Sequence, residues 1–340
     1  MRDVKKILII ETAFIGDAVL SLAFAEEIKR LRPEVEIHYL VAPASSSLIS
    51  HAPSVARVHS FDKRGEDSGE AGIRKVSDFL NKENFDAVFS LHESHRTAKL
   101  VALLNAPHKI GATSAKALQP YLTSTYHIPT NGRRTERIIE FARFFSEEIN
   151  TSALPKLQFD TVGVPNDILG LKDSVVFAPG SAWKTKKWLA DRFIEVGEVL
   201  VSLGNTVVII GGEGDKAEAA VIADAIGTGI FNYAGTVTLP VAGAIISRAK
   251  LVIGNDSAPI HIATACGVRS VEIMGPTVQD FGFIPPPEFG IVIEQKGLWC
   301  RPCNSHGGEN CPIYTHECMK DITSEMVINA ATKQLAYATS

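Results

Sequence analysis

Apolar residues along this chain fall into two alternating rhythms: short unbroken runs, and longer stretches in which they recur at helical spacing. The first run, residues 5–10, predicts a buried strand, and a loop over 11–15 leads into a helix that begins at Gly16 and Asp17. Leu20, Phe24, Ile28 and Leu31 share one face of that helix, and Pro33 stops it. Strands are expected next at 35–42, 55–61, 85–91, 109–112 and 126–128, with helices at 73–80, 96–104 and 135–147. Residues 151–172, which contain Pro155, Pro165 and Gly170, read as a linker. A second series follows, with strands at 174–178, 206–210, 251–253, 269–274 and 290–294. Its helices are expected at 189–203, 216–226, 239–249 and 258–266, and a last helix at 324–336.

Strands alternating with helices predict an α/β fold with mainly parallel sheets, built as two Rossmann-like halves. The first domain covers residues 1–150 and the second 173–323. The terminal helix within 324–340 is left to pack on either half, packing back on the first being one option. No short-period repeat is present, which argues against a solenoid.

The densest stretch is 251–277, LVIGNDSAPIHIATACGVRSVEIMGPT, a strand, loop, helix, strand and second loop. In a parallel sheet both loops open on the edge where ligands bind, so Asp256, Ser257, His261 and Thr277 should converge. A helix start there suits a phosphate or sugar hydroxyl. The competing account is that Asp256 or Ser257 simply caps the helix.

Composition narrows the class. Hydrophobic content of 45%, charged content of 21% and a net charge of −4 describe an ordinary globular protein and give no support to nucleic-acid binding. The most apolar stretch, residues 7–25, is interrupted by Glu11 and Asp17, so no membrane span and no signal peptide are expected, and a cytoplasmic location is the default.

Several further patterns carry candidate chemistry. Asp17, at the first helix start, is placed to take a proton from an acceptor hydroxyl; a first-turn Asp serving only the helix dipole is the alternative. Residues 178–188, APGSAWKTKKW, join a strand to a helix, with Lys184, Lys186 and Lys187 suited to a diphosphate leaving group or to a solvated surface. Residues 211–215, GGEGD, lack the spacing of a dinucleotide fingerprint, which makes a nicotinamide oxidoreductase the weakest reading. Arg133, Arg134, Arg137 and Arg143 either meet an anionic partner or pair with Glu136 and Glu140 on a surface helix. Cys300, Cys303, Cys311 and Cys318, spaced C-x2-C-x7-C-x6-C, suit a structural zinc or a reduced, packed loop.

Taken together the chain resembles glycosyltransferase family 9, the ADP-heptose:lipopolysaccharide heptosyltransferases, and is more similar to the type II members. The resemblance rests on the opening KILIIETAFIGDAVLSLAFAEEIKRLRP, on PGSAWKTKKWLADRF, on NDSAPIHIATACGVRSVEIMGPT and on the cysteine-bearing WCRPCNSHGGENCPIYTHECMKDI. It implies a GT-B architecture, with two Rossmann-like domains facing across a cleft. It further implies an inverting, metal-independent transfer of heptose to the lipopolysaccharide inner core at the inner face of the inner membrane. Asp17 would be the general base. Donor contacts would come from Ser181, Lys184, Lys186, Asp256, Ser257, Ala258, His261, Gly275, Pro276 and Thr277, and acceptor contacts from Gly16, Arg133, Arg134 and Arg137. Ala258 and Pro259 stand where the family often has Gly after Asp-Ser. A nucleotide-sugar epimerase and a non-catalytic nucleotide-sugar-binding protein are the rival functions.

Overall fold

The computed structural model describes Met1, residues 3–170 and residues 174–338; Leu171 and Lys172 of the expected linker and Asp173, expected to open the second domain, lie outside the described residues. The chain divides into two compact units, Met1–Leu157 and Gln158–Ser340.

The first unit opens with β1 (Lys6–Glu11), α1 (Ile15–Leu31), β2 (Glu36–Val41), α2 (Pro43–Ile49), β3 (Arg57–Ser60) and α3 (Gly69–Asn81). It continues with β4 (Ala87–Ser90), α4 (His95–Leu103), β5 (His108–Ala112), β6 (Ser124–Tyr126) and α5 (Arg134–Ile139). Its strands form one parallel sheet in the order β3-β2-β1-β4-β5-β6. Ile7, Leu8, Ile9 and Ile10 are fully buried, as a central strand covered on both faces requires. Helix α2 is absent from the apolar pattern because in PASSSLI three consecutive serines interrupt any helical repeat of apolar residues; Pro43 in its first turn starts it. The long helix expected at 135–147 is shorter: α5 ends at Ile139 and a 3-10 turn, Glu140–Phe144, continues the chain. That tightening turns Phe141 and Phe144 onto Phe89.

The second unit contains α6 (Asn166–Leu169), β7 (Val175–Ala178), α7 (Ala190–Ser202), β8 (Val207–Ile209), α8 (Lys216–Ile226) and β9 (Ile230–Asn232). Then come α9 (Leu239–Ile246), β10 (Leu251–Asn255), α10 (Ala258–Ala265), β11 (Arg269–Met274), β12 (Gly290–Glu294), α11 (Glu317–Lys320) and α12 (Ser324–Ala338). Its parallel sheet runs β12-β11-β10-β7-β8-β9. Counted within each unit, both sheets have the doubly wound order 3-2-1-4-5-6, so the order reverses between β1 and β4 and again between β7 and β10. Strand β9 escapes the apolar pattern because it is a short, incompletely buried edge.

Both ends of the expected linker are absorbed into the two units, which meet at 157/158. Leu157 is buried and Lys156 pairs with Glu26 at 3.4 Å on the first side. On the second, Ile168 is buried and Arg248 donates to the Leu169 carbonyl at 3.0 Å. Helix α12 packs on β10, β11, β12 and α7, so it completes the second unit instead of returning to the first. Val327, Ala330 and Ala331 share that core with Phe177, Trp188 and Ile273. Among the described residues no helix is long and apolar enough to cross a membrane.

Candidate active site

In the second unit the reversal between β7 and β10 places two loops side by side. Asn255, fully buried at the end of β10, stitches them together: its amide donates to the Pro179 carbonyl at 2.6 Å and its oxygen accepts from the Trp188 N–H at 3.0 Å. Lys186 is thereby brought to Asp256, with Nζ to Oδ2 at 2.6 Å, and Thr277 Oγ1 donates to the same oxygen at 2.7 Å. The pair is nearly dry, with side-chain exposures of 12% and 6%.

Helix α10 starts at this point, and neither Asp256 nor Ser257 caps it. Asp256 is committed to Lys186 and Thr277, while the Ser257 hydroxyl is buried with no hydrogen-bond partner among the described residues. Simple capping therefore does not explain the motif; a buried hydroxyl left unmatched is what a ligand-binding edge presents. His261, one turn on, is pushed down to about 4 by its burial and by the charge of Lys186, so it is a neutral imidazole at physiological pH. Glu272 on β11 lies beneath. Its burial and the charge of Asp256 raise its carboxyl well above the usual range, and neither oxygen has a partner among the described residues.

The other lysines are engaged elsewhere. Lys187 bonds Asp215 at 2.7 Å and Glu218 at 3.2 Å, and exposed Lys184 pairs with Glu309 at 3.2 Å. Of the donor lysines expected, the structure brings only Lys186 to Asp256. Ser181 Oγ accepts from the Trp183 N–H at 3.4 Å in the same loop. Gly180 has to lack a side chain, since a Cβ would stand 2.2 Å from Asp215 Oδ2, and one on Gly275 would stand 2.6 Å from Met319 Sδ. The backbone of both loops is thus drawn tight.

The cysteine segment braces this edge. Cys303 N–H donates to the Pro276 carbonyl at 3.1 Å, Arg301 donates to the Thr277 carbonyl at 2.5 Å, and Thr185 exchanges bonds with Gly308 at 2.7 and 3.0 Å. His316 Nε2 reaches the Thr185 carbonyl at 2.8 Å. All five cysteines are free thiols, and burial raises Cys318 to about 11. Thiolates on one zinc stand roughly 3.8 Å apart, given Zn–S near 2.3 Å. Among the described residues no three ligand atoms of this segment gather within 4.8 Å. The segment thus clamps both loops of this edge.

In the first unit the reversal between β1 and β4 gathers a second polar cluster. Asp17 is in the first turn of α1 and Gly16 precedes it, half-buried. Glu11, at the end of β1, is buried; burial and the charge of Asp17 raise it to about 7, against the partial relief of Arg134, whose guanidinium is 3.8 Å away. Lys63 donates to Thr12 Oγ1 at 3.1 Å and is lowered to about 8 by burial. His92, after β4, holds Thr97 at 2.8 Å and is lowered to about 4 by burial and by Lys63.

Next to these groups is a cavity of about 390 Å³ lined by Glu93, His127, Thr130, Arg134, Arg137 and Phe141, among others. Arg134 and Arg137 are among its lining residues. Arg133 does not line it; its guanidinium is held by Glu136 at 2.7 Å, as the paired-surface account has it. Sequence reasoning missed Glu11, Lys63, His92, Asn255 and Glu272. Only Glu11 and Glu272 left a signal, each a charge inside an apolar run.

A model of the family described as glycosyltransferase family 9 (heptosyltransferase) matches residues 73–310. The lipopolysaccharide core heptosyltransferase OpsX of Haemophilus influenzae is 23% identical over 77% of each chain. A glycosyl transferase family 9 structure from Veillonella parvula superposes with a TM-score of 0.83 at 22% identity, covering 98% of both chains. The structure of Escherichia coli ADP-heptose LPS heptosyltransferase II gives 0.77 at 21% identity, covering 98% of this chain and 100% of the other.

Proposed function

The chain belongs to glycosyltransferase family 9, the heptosyltransferases, and from that premise we propose that it moves heptose from ADP-heptose to the lipopolysaccharide inner core, with Asp17 as general base. The observation that carries this reading is the convergence of Lys186, Asp256 and Thr277 at the carboxyl edge of the second sheet, where the strand order reverses. Asp256 fixes the ammonium of Lys186, whose remaining N–H groups then meet the diphosphate; the start of α10 adds its positive dipole end. Ser181, Ser257, Ala258, His261 and the 275–277 loop line the same edge as further donor contacts.

In the transfer the acceptor hydroxyl oxygen bonds to the anomeric carbon as the bond from that carbon to the phosphate oxygen breaks. The bonding electrons leave with ADP, the hydroxyl proton passes to Asp17, and the configuration inverts. Glu11, raised to about 7 by burial and by the charge of Asp17, is the member of the pair that takes up a proton near neutral pH, and Asp17 is the better exposed of the two. Arg134 and Arg137 supply cations for an anionic acceptor. The leaving charge falls on an ammonium and on backbone N–H groups, so no metal enters the step. Because the acceptor is lipid-linked, the reading includes cytoplasmic residence and peripheral contact with the inner face of the inner membrane.

Incubation with ADP-heptose and a Kdo- or heptosyl-bearing lipid A should release ADP. Asp17→Ala should abolish release while leaving circular dichroism and ADP binding unchanged; a wild-type rate removes Asp17 from the mechanism. Turnover of donor without acceptor would instead indicate an epimerase, and donor binding without transfer a binding protein.

A further inference from the structure

A second constellation occupies the first unit toward the amino-terminal edge of its sheet, away from the carboxyl ends where Glu11 and His92 sit. Strand register pairs His38 with Arg57 and Leu40 with His59, so His38 on β2 and His59 on β3 project from one face. Glu83 enters from the turn between α3 and β4. One ring nitrogen from each histidine and one Glu83 oxygen lie within 4.8 Å of one another, the only such triad among the described residues. His38 Nδ1 and His59 Nε2 are 2.9 Å apart, and the rings are 1% and 6% exposed beneath Phe79 and Phe85.

A hydrogen bond between the two rings would account for their distance but not for the rest. The second nitrogen of His38 meets Glu36 Oε1 at 2.6 Å, the carboxylate partnership that fixes the tautomer and orientation of a metal-ligating imidazole. Two imidazoles and a carboxylate from three separate segments also make a donor set suited to zinc and its first-row neighbours. Zn–N bonds near 2.0–2.1 Å in tetrahedral geometry ask for nitrogens about 3.3 Å apart, a small opening of the present pair. Glu83 already pairs with Arg57 at 2.7 Å and Lys6 at 3.1 Å. Each of those bonds takes one lone pair of a different oxygen and leaves another for a metal.

We propose that His38 Nδ1, His59 Nε2 and Glu83 bind a divalent transition metal of the zinc type, which ties β2, β3 and the turn before β4 together. The site is structural and independent of the transfer chemistry. Arg57 and Lys6 weaken it relative to an isolated triad of the same ligands, because both cations share Glu83.

The test uses the full chain, stripped with a chelator and titrated with Co²⁺ as a coloured probe. The expected result is one equivalent bound with a tetrahedral visible spectrum and no thiolate charge-transfer band, unchanged in the Cys300→Ser/Cys303→Ser variant. Affinity should fall by about tenfold or more in His59→Gln and Glu83→Gln, and by about 10–100-fold in Glu36→Gln. Absence of binding, a thiolate band, or full affinity in His59→Gln and Glu83→Gln overturns the site. If a histidine variant fails to fold, X-ray absorption on zinc-loaded wild-type protein decides: a nitrogen and oxygen shell with imidazole scattering upholds it, and a sulfur shell refutes it.

Discussion

Replacing Asp256 with Asn leaves the Lys186 ammonium in a nearly dry site without its countercharge. At 2.6 Å, the gross attraction with an effective dielectric near 20 is about 6 kcal/mol, most of which offsets the desolvation of both ions. Removing one partner of such a pair costs about 3–5 kcal/mol. The low end applies here, because Asp256 is one of the causes holding Glu272 protonated, and without it Glu272 can ionise toward Lys186. Asp256→Asn should therefore lose about 3 kcal/mol. The double variant Asp256→Asn/Lys186→Met should return to within about 1 kcal/mol of wild type, since no buried charge is stranded. Heptosyl transfer should not return if Lys186 meets the leaving diphosphate as proposed; its loss is then expected to cost about 10²–10³-fold in kcat. Trp183, Trp188 and Trp299 are the three tryptophans of the chain and all belong to the second unit, so fluorescence-detected urea unfolding reports on that unit alone. A double variant as unstable as the single one, or one that transfers at the wild-type rate, would refute the reasoning.

Three further outcomes are expected. Glu11 titrates near 7 in the folded chain against an ordinary 4.5, so the folded state holds a proton that the unfolded state has released between those values. Stability is then fullest below about pH 4.5 and declines as pH rises to about 7, by about 3 kcal/mol at 1.36 kcal/mol per pH unit. Glu11→Gln should remove that decline and leave β1 amides better protected from hydrogen exchange at pH 8 than in wild type; equal protection would contradict it. Gly180→Ala sets a Cβ 2.2 Å from Asp215 Oδ2, an oxygen that accepts from the Gly212 N–H at 3.0 Å while Lys187 holds the other oxygen at 2.7 Å, so the loop must shift at a cost of about 1–3 kcal/mol, measured by the same tryptophan unfolding. Arg134→Ala should raise the acceptor KM at least about tenfold, a lost charge-assisted bond, with ADP affinity by calorimetry unchanged.

Which elements exist, and in what order, is written in the sequence, because strands buried on both faces must be continuous apolar runs and helices on a sheet must repeat every three to four positions. The same logic located the edge where Lys186, Asp256 and Thr277 meet: a loop that follows a buried strand and opens a helix can only sit at the carboxyl end of a parallel sheet. Residues 251–277 and 178–188 could therefore be singled out without coordinates, and so could Asp17 behind β1. Partnership was not legible. Three lysines within four positions, Lys184, Lys186 and Lys187, are equivalent on paper, and only the stitch from Asn255 to Pro179 and Trp188 turns Lys186 rather than its neighbours onto Asp256. The cysteine spacing suggested a metal but not the bonds by which the same segment reaches Pro276 and Thr185. His38, His59 and Glu83 gave no pattern because they come from three segments joined only by strand register. Likewise α12 carries an apolar stripe that either sheet would accept, and the surface left open beside β11 and α7 decided which. Periodicity is local and survives in one dimension; contact, burial and charge pairing depend on residues far apart in the chain and exist only once it has folded.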